Sequence, residues 1–431
     1  MPDHNQTPWS RRLFLQQGVT LASLAATTPL FIERSARGVM LPVGSLVSSQ
    51  AGVPEDRILV VVQLGGGNDG LNTVVPYGSS DYHRLRPQLG IKEPGRTGGA
   101  LAIDGSDEIG LNPAMSGFKE LMDEGVAGIV QGVGYPNPNR SHFSSMDIWH
   151  TADPKGKSNG WIGRYFDNTC EGTPVPEAGV VIGRQSPLAM QGETQLPVSF
   201  ERAELFRWMG TDMDSKLEEQ YEQIARTAHV GAVEEERSQN AFLKRTTLDA
   251  RVSSDKVRKA VARSPLVTYP GSNLAGQLRM VGAMIRAELP TRVYYVTLGG
   301  FDTHANQAGQ HARLLDQVGS ALNAFYRDLQ AQGNNSRVMT MVFSEFGRRV
   351  AQNGSGGTDH GTAAPMYFIG DMVRPGLLGT HPALNRLDDG DLIHNTDFRT
   401  VYASVLEDWM GANSREILGG KWKSESLLRG G

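Results

Sequence analysis

The residues best suited to chemistry in this chain stand just beyond its apolar runs. Asp302 and His304 lie two positions apart after residues 292–298 (RVYYVTL), and Glu345 follows residues 338–343 (VMTMVF). Asn68 and Asp69 follow residues 57–64 (RILVVVQL) and a glycine run. His360 follows Asp359 in the glycine-rich stretch 354–360, just before an apolar run that starts at Pro365. Ser141 sits between Arg140 and His142, where a helical pattern begins that runs to residue 152. Carboxylates and imidazoles converging from separate loops offer the hard oxygen and borderline nitrogen donors that a divalent transition metal takes. A metal held in that way activates water or a serine and clamps a phosphoryl or sulfuryl oxygen. Ser141 at a helix N-terminus lies at the positive end of the helix dipole, where an anionic group is stabilised. Arg140 and His142 add donors beside it. Each piece also has a plainer reading. Asp-x-His makes hydrogen-bonded turns, a serine before a helix is a cap, Glu345 has Arg348 and Arg349 nearby to pair with, and His142 and His150 share a helix face as packing groups. Recurrence at successive strand ends is what favours the metal site.

To converge, these residues need one sheet beneath them. The runs 57–64, 127–133, 292–298, 338–343 and 365–369 are apolar on both faces and read as buried strands. Residues 112–125, 274–288, about 310–332 and 398–410 carry helical spacing. Strand, loop and helix alternate, which predicts an α/β fold with a mostly parallel central sheet flanked by helices. In such sheets ligands bind outside the carboxyl ends of the strands. Residues 212–261 are charged and nearly free of Gly and Pro, and read as a helical insertion spanning about 205–265. Its Glu234-Glu235-Glu236-Arg237 run reads as a solvated face.

The N-terminus has a different character. Ser10-Arg11-Arg12-Leu13-Phe14-Leu15 precedes an apolar stretch at 19–31, the pattern of a twin-arginine signal peptide over residues 1–38. That stretch is shorter than the roughly 20 apolar residues a membrane-spanning helix needs. A Gly/Ser/Val-rich linker at 39–54 leads to a domain at 55–431. The expected partner is the twin-arginine translocase and the expected location periplasmic, with no stable membrane span after processing. Cys170 is the single cysteine among 431 residues, so no intrachain disulfide forms, as suits folding in a reducing cytoplasm before export. Lys+Arg (42) and Asp+Glu (46) nearly balance, and no basic stripe marks the chain as a nucleic-acid binder.

The strings QLGGGNDGLNTVVPY, GVGYPNPNRSHFSSMDIWHTA, GGFDTHANQ, VFSEFGRRVAQNGSGGTDHGTAAPMYFIG and HNTDFRTVYASVLEDWMG resemble a bacterial domain-of-unknown-function family, family 1501, from about Ile58 to the C-terminus. That family consists of twin-arginine-exported proteins grouped with the alkaline phosphatase and sulfatase superfamily. The resemblance implies an alkaline-phosphatase-like sheet and a two-metal site hydrolysing phosphate or sulfate esters. It implies a divalent ion, zinc first and calcium, manganese or magnesium as alternatives. Asp302, His304 and His360 are similar to the ligands of one metal. Glu345 stands where a second metal takes an Asp, and Phe346 where that metal takes a His, which Phe cannot replace. Asn68 or Asp69 falls near the first-strand Asp, and Ser141, or less closely Ser144, near the nucleophile. The implied substrate is an anionic ester, small molecule or polymer.

Two other readings compete with the hydrolase. The Phe at 346 suits an exported binding or scaffold protein that keeps the fold without the chemistry. Gly65-x-Gly67-x-x-Gly70 after a strand is formally a dinucleotide fingerprint. Pro76 and Gly78 then fall where its phosphate-binding helix should run, and no acidic strand end follows about 20 residues on.

Overall fold

The computed structural model describes residues 56–169, 176–194, 196–206 and 254–429. The twin-arginine segment, the linker, Cys170 and most of the 205–265 insertion lie outside the described residues. A nine-stranded sheet forms the centre. Its strands are β1 (Ile58–Leu64), β5 (Ala127–Gly134), β6 (Gly179–Ile182), β7 (Val198–Phe200), β8 (Val293–Leu298), β9 (Val338–Ser344), β10 (Ala364–Ile369), β11 (Gly376–Leu378) and β14 (Thr396–Asp397). Their order is β11-β5-β10-β9-β1-β8-β6-β7, with β14 also on β5. β10 runs against both β5 and β9, and every other pairing is parallel. Two small sheets lie apart: β2 (Val74–Val75) with β3 (Leu101–Ile103) and β4 (Ser106–Leu111), and β12 (Leu387–Asp388) with β13 (Asp391–Leu392).

Alternate side chains of a strand face opposite sides, so the β-branched run of β1 is covered twice. Ile58, Val60, Val62 and Leu64 pack with α2 (Ser116–Asp123), α5 (Asn273–Arg286) and α6 (Gln307–Gln332). Leu59 and Val61 pack with α3 (His142–Thr151), α4 (Trp161–Thr169) and α7 (Phe398–Ser404). α1 (Ser80–Leu85) lies off these two layers and contributes Tyr82 to a third cluster. The result is the expected three-layer α/β arrangement with a mostly parallel sheet. The reversed β10 was not expected, and neither were the short strands β6, β7, β11 and β14, whose few residues carry no period. Gly70 opens a single turn of 3-10 helix, Gly70–Asn72, where a dinucleotide site needs a full helix.

Candidate metal centre

β1, β5, β8 and β9 point the same way, and the loops leaving their carboxyl ends meet at one edge. The reversed β10 starts at that edge, so the loop before it arrives there too. Beyond the sheet the chains leaving β9 and entering β10 stay paired: Gly347 N–H donates to Thr362 O at 2.7 Å and Gly361 N–H to Gly347 O at 3.0 Å. This pairing sets His360 opposite Arg348.

Asp302, after β8, is the hub. Its Oδ1 lies 3.0 Å from His360 Nε2 and 3.0 Å from His304 Nε2, and those two nitrogens are 3.0 Å apart. Its Oδ2 lies 3.5 Å from His142 Nε2. Donor atoms of His142, Asp302 and His360 all fall within 4.8 Å of one another. Each of the three imidazoles is anchored through Nδ1. His142 donates to Glu345 Oε1 at 2.8 Å, His304 to Asp359 Oδ1 at 3.0 Å, and His360 to the Arg140 carbonyl at 2.9 Å. A carbonyl or carboxylate oxygen accepts a proton there, which selects the tautomer that carries it on Nδ1 and has its lone pair on Nε2. All three Nε2 atoms face Asp302. That of His142 is buried and makes no hydrogen bond.

These donors fit a metal. A tetrahedral ion with bonds of about 2.0–2.1 Å sets its ligand atoms about 3.3 Å apart, close to the 3.0 Å triangle of Asp302, His304 and His360. Histidines that hold a metal typically donate their other N–H to a carboxylate or carbonyl, the arrangement found on all three rings. A nitrogen-rich set favours zinc over calcium or magnesium, which take oxygen.

Arg348 locks the hub. Its side chain is fully buried, and it donates to the carbonyls of Gly67 at 2.7 Å, Thr358 at 2.8 Å, Phe301 at 3.0 Å and Gly66, and to Asp302 Oδ1 at 2.8 Å. Burial works against charge on Asp302, but the hydrogen bond and the charge of Arg348 outweigh it and hold the carboxyl well below the usual range. Hydrogen bonds from His304 and Asn353 likewise lower Asp359. Phe346 packs its ring against His142 and His360, with centroids 4.9 and 4.8 Å away. Gly67 makes room for it: at φ +75° its position admits no Cβ, which would lie 2.3 Å from the Phe346 ring. A Cβ on Gly357 would lie as close to the His304 backbone, so that position too is held by glycine. The centre is open on one side, with the Asp302 and His304 side chains 46% and 44% exposed.

The structure brings Asp302, His304, His360 and His142 together and sends the other candidates elsewhere. His142, expected as a donor beside a nucleophile, presents a ligand atom. Glu345, expected as a ligand, is buried one step back, where Oε1 accepts from His142 Nδ1 and from Gly66 N–H, each at 2.8 Å. It pairs with neither arginine: Arg348 goes to Asp302, and Arg349 to Asp389. Asp69 is sealed in an ion pair with Arg86 at 2.6 Å, both side chains fully buried. Asn68 is buried with its side chain on Thr73 and His311. Both side chains turn inward just past the glycine run, where Gly66 and Gly67 hold φ of +115° and +75°. Ser141 stands exposed at the start of α3 and makes no capping hydrogen bond. The Arg140 guanidinium pairs with Asp389 and Asp391, leaving its carbonyl to position His360. Among the described residues one donor group forms, with the Phe346 ring packed beside it. The role of Arg348 was missed. Its signal in the sequence is only an arginine three residues past a strand-end acid.

The family model described as "Protein of unknown function (DUF1501)" matches residues 127–409. No curated protein matches the chain. Among solved structures it is similar to a protein in the alkaline phosphatase superfamily from Vibrio parahaemolyticus, at TM-score 0.38 and 7% identity, covering 91% of this chain and 76% of that one. It is similar also to the lipoteichoic acid synthase LtaP from Listeria monocytogenes, at TM-score 0.36 and 9% identity over 92% and 79%. A third is the PsFucS1 sulfatase from Pseudoalteromonas sp., at TM-score 0.35 and 10% identity over 96% and 77%.

Proposed function

The chain belongs to the DUF1501 family, which brings no activity with it, and from the geometry of its centre we propose that it is a metal-dependent hydrolase of phosphate or sulfate esters. The observation that carries this reading is the triple anchoring of His142, His304 and His360 through Nδ1, which leaves three Nε2 lone pairs turned on one ionised carboxylate. Asp302, His304, His360 and His142 would hold the ion, most suitably zinc. When bound, such an ion is a Lewis acid toward an ester oxygen and lowers the pKa of a water or hydroxyl beside it.

The remaining parts belong to the chain itself. α3 begins with His142, and no side chain caps its first turn. Its free amides and dipole favour the non-bridging oxygens of an anionic ester. Ser141 presents its hydroxyl at the same helix end, so it or a water is the attacking group. Attack forms a new P–O or S–O bond and breaks the one to the alcohol, which departs with the proton lost by the attacking hydroxyl; where Ser141 attacks, a water then hydrolyses the resulting serine ester and frees its hydroxyl. Arg348 keeps Asp302 ionised and fixed throughout, and Glu345 keeps the His142 ring turned.

The test is metal analysis of purified protein followed by release assays on aryl phosphate and aryl sulfate esters. Stoichiometric zinc, with turnover abolished in His304→Ala and His360→Ala, is the expected result. Ser141→Ala then separates the two nucleophiles. Metal without turnover on any ester moves the reading to a binding protein, and no metal at all sinks it. We further propose export by the twin-arginine route, tested by fractionation of cells producing the chain and its Arg11→Lys/Arg12→Lys variant.

A further inference from the structure

Gln307 opens α6 just past His304 and is fully buried. The loop it closes, 302–306, lies against the loop 353–358 that leads to His360. Thr358 N–H donates to Thr303 O at 3.3 Å, Asn306 N–H to Ser355 O at 3.1 Å and Gln307 N–H to Gly356 O at 2.9 Å. Side chains complete the join. The Thr358 hydroxyl donates to Gln307 Oε1 at 2.6 Å. The Thr303 hydroxyl reaches the same oxygen at 3.1 Å, with Phe301 O at 3.3 Å as its other acceptor. Both threonines are buried. From its other end Gln307 Nε2 donates to Asp69 Oδ2.

The direction of this amide is dictated. Asp69 is sealed against Arg86. Burial opposes its ionisation, but the charge and hydrogen bond of Arg86 outweigh it and keep the carboxyl below its usual range. A carboxylate only accepts, so it takes the NH2 end of Gln307, and the carbonyl end is left facing the two hydroxyls. A satisfied buried network of this kind rigidifies what it joins. What it joins here is the donor set. Thr303 stands between Asp302 and His304. Thr358 precedes Asp359, which holds His304 Nδ1, and then His360. The Thr358 carbonyl also accepts from Arg348, which donates to Asp302 Oδ1.

We propose that Gln307 is a positioning residue for the metal centre: its Oε1 fixes residues 302–304 against residues 358–360, so that Asp302, His304 and His360 stand at bonding separation before an ion arrives. The Asp69–Arg86 pair serves the centre by orienting that amide. The link to a metal rests on the reading of the centre given above. The coupling of the two loops does not.

The experiment uses the full chain. Zinc affinity is read by chelator competition, donor geometry by the visible absorption of the cobalt(II)-substituted protein, and loop coupling by hydrogen exchange of residues 353–360 in metal-free protein. Gln307→Met keeps the length and removes both polar ends. It lowers zinc affinity about 10-fold or more, shifts the cobalt bands and speeds the exchange. Thr358→Val acts in the same direction, and more strongly than Thr303→Val, whose hydroxyl makes the longer bond. Thr358→Ser keeps the hydroxyl and stays within about twofold of wild type. In a Gln307→Met background Thr358→Val adds less than about twofold, because its acceptor is gone. Phe325→Leu, on the apolar face of the same helix, is the control for lost stability: it lowers the melting temperature and leaves zinc affinity and cobalt bands unchanged. Unchanged affinity and exchange in folded Gln307→Met overturn the proposal. Equal losses in Thr358→Ser and Thr358→Val overturn it too, as does an equal loss in Phe325→Leu at matched melting temperature. If Gln307→Met does not fold, the Thr358→Val and Thr358→Ser pair decides. Wild-type protein that takes up no zinc defeats the metal reading, and the exchange measurement by itself then decides whether Gln307 couples the loops.

Discussion

Glu345→Gln probes the least obvious part of the centre. Glu345 is 1% exposed, and its Oε1 accepts from His142 Nδ1 and Gly66 N–H, each at 2.8 Å. The amide keeps an oxygen in nearly the same place, so both bonds persist and the fold holds. What disappears is the charge. A charge-assisted hydrogen bond is worth about 1.5–3 kcal/mol and a neutral one about 0.5–1.5. The one bond to His142 therefore weakens by about 1–1.5 kcal/mol, and at 1.4 kcal/mol per tenfold the metal affinity falls about 5- to 10-fold. Glu345→Ala orphans both N–H groups and costs about 10- to 100-fold, the usual range for losing such a support. Chelator-competition titration with zinc measures both, with thermal melts of the metal-free forms as the control for folding. In a His142→Ala background Glu345→Gln has nothing left to act through, and its effect drops below twofold. An equal loss in both backgrounds, or no loss in the wild-type background, would refute the reasoning that Glu345 works through the His142 ring.

Three further outcomes follow from burial. His150 is buried against Gln63 and Tyr295, and burial pushes its pKa down to about 3. The folded state then binds fewer protons than the unfolded one below pH 6.5, so stability falls as pH drops from 6.5 to 3, by up to about 5 kcal/mol. Denaturant melts across that range flatten in His150→Gln. Asp69→Asn leaves the Arg86 charge buried without its partner and destabilises by about 3–5 kcal/mol, read as a lowered denaturant midpoint. Gly67→Ala pays twice, for φ +75° and for a Cβ inside the Phe346 ring, about 1–3 kcal/mol from each cause. Because Phe346 must leave its place between His142 and His360, zinc affinity falls with stability. An alanine variant with unchanged melting would contradict that packing.

The extent to which the centre was legible differs residue by residue. Asp302 and His304 were visible because a β-branched run ending in polar residues places them at a sheet edge whatever the neighbours do. His360 precedes its apolar run in sequence where the others follow theirs, and it joins them because β10 runs the opposite way and begins at their edge. Asn68 and Asp69 carry the same sequence signature as Asp302, yet the glycine turn directs them inward to Thr73, His311 and Arg86. Nothing in their spacing distinguishes a carboxylate facing solvent from one facing a buried arginine. Glu345 and His142 exchanged expected roles because 203 residues separate them, and which of two facing groups stands nearer Asp302 is decided by packing.

The sequence by itself determined the three-layer α/β sheet, because hydrophobic period and β-branching act over a few residues and need no partner to be read. It also determined which polar side chains arrive at the sheet edge. Only the tertiary structure decided what they do there. The direction of β10, the burial of Arg348 under Asp302 and the fixing of three imidazoles by Glu345, Asp359 and the Arg140 carbonyl all depend on contacts between segments far apart in the chain. A histidine becomes a candidate ligand when its second nitrogen has been given a partner, and that partner is chosen by the fold.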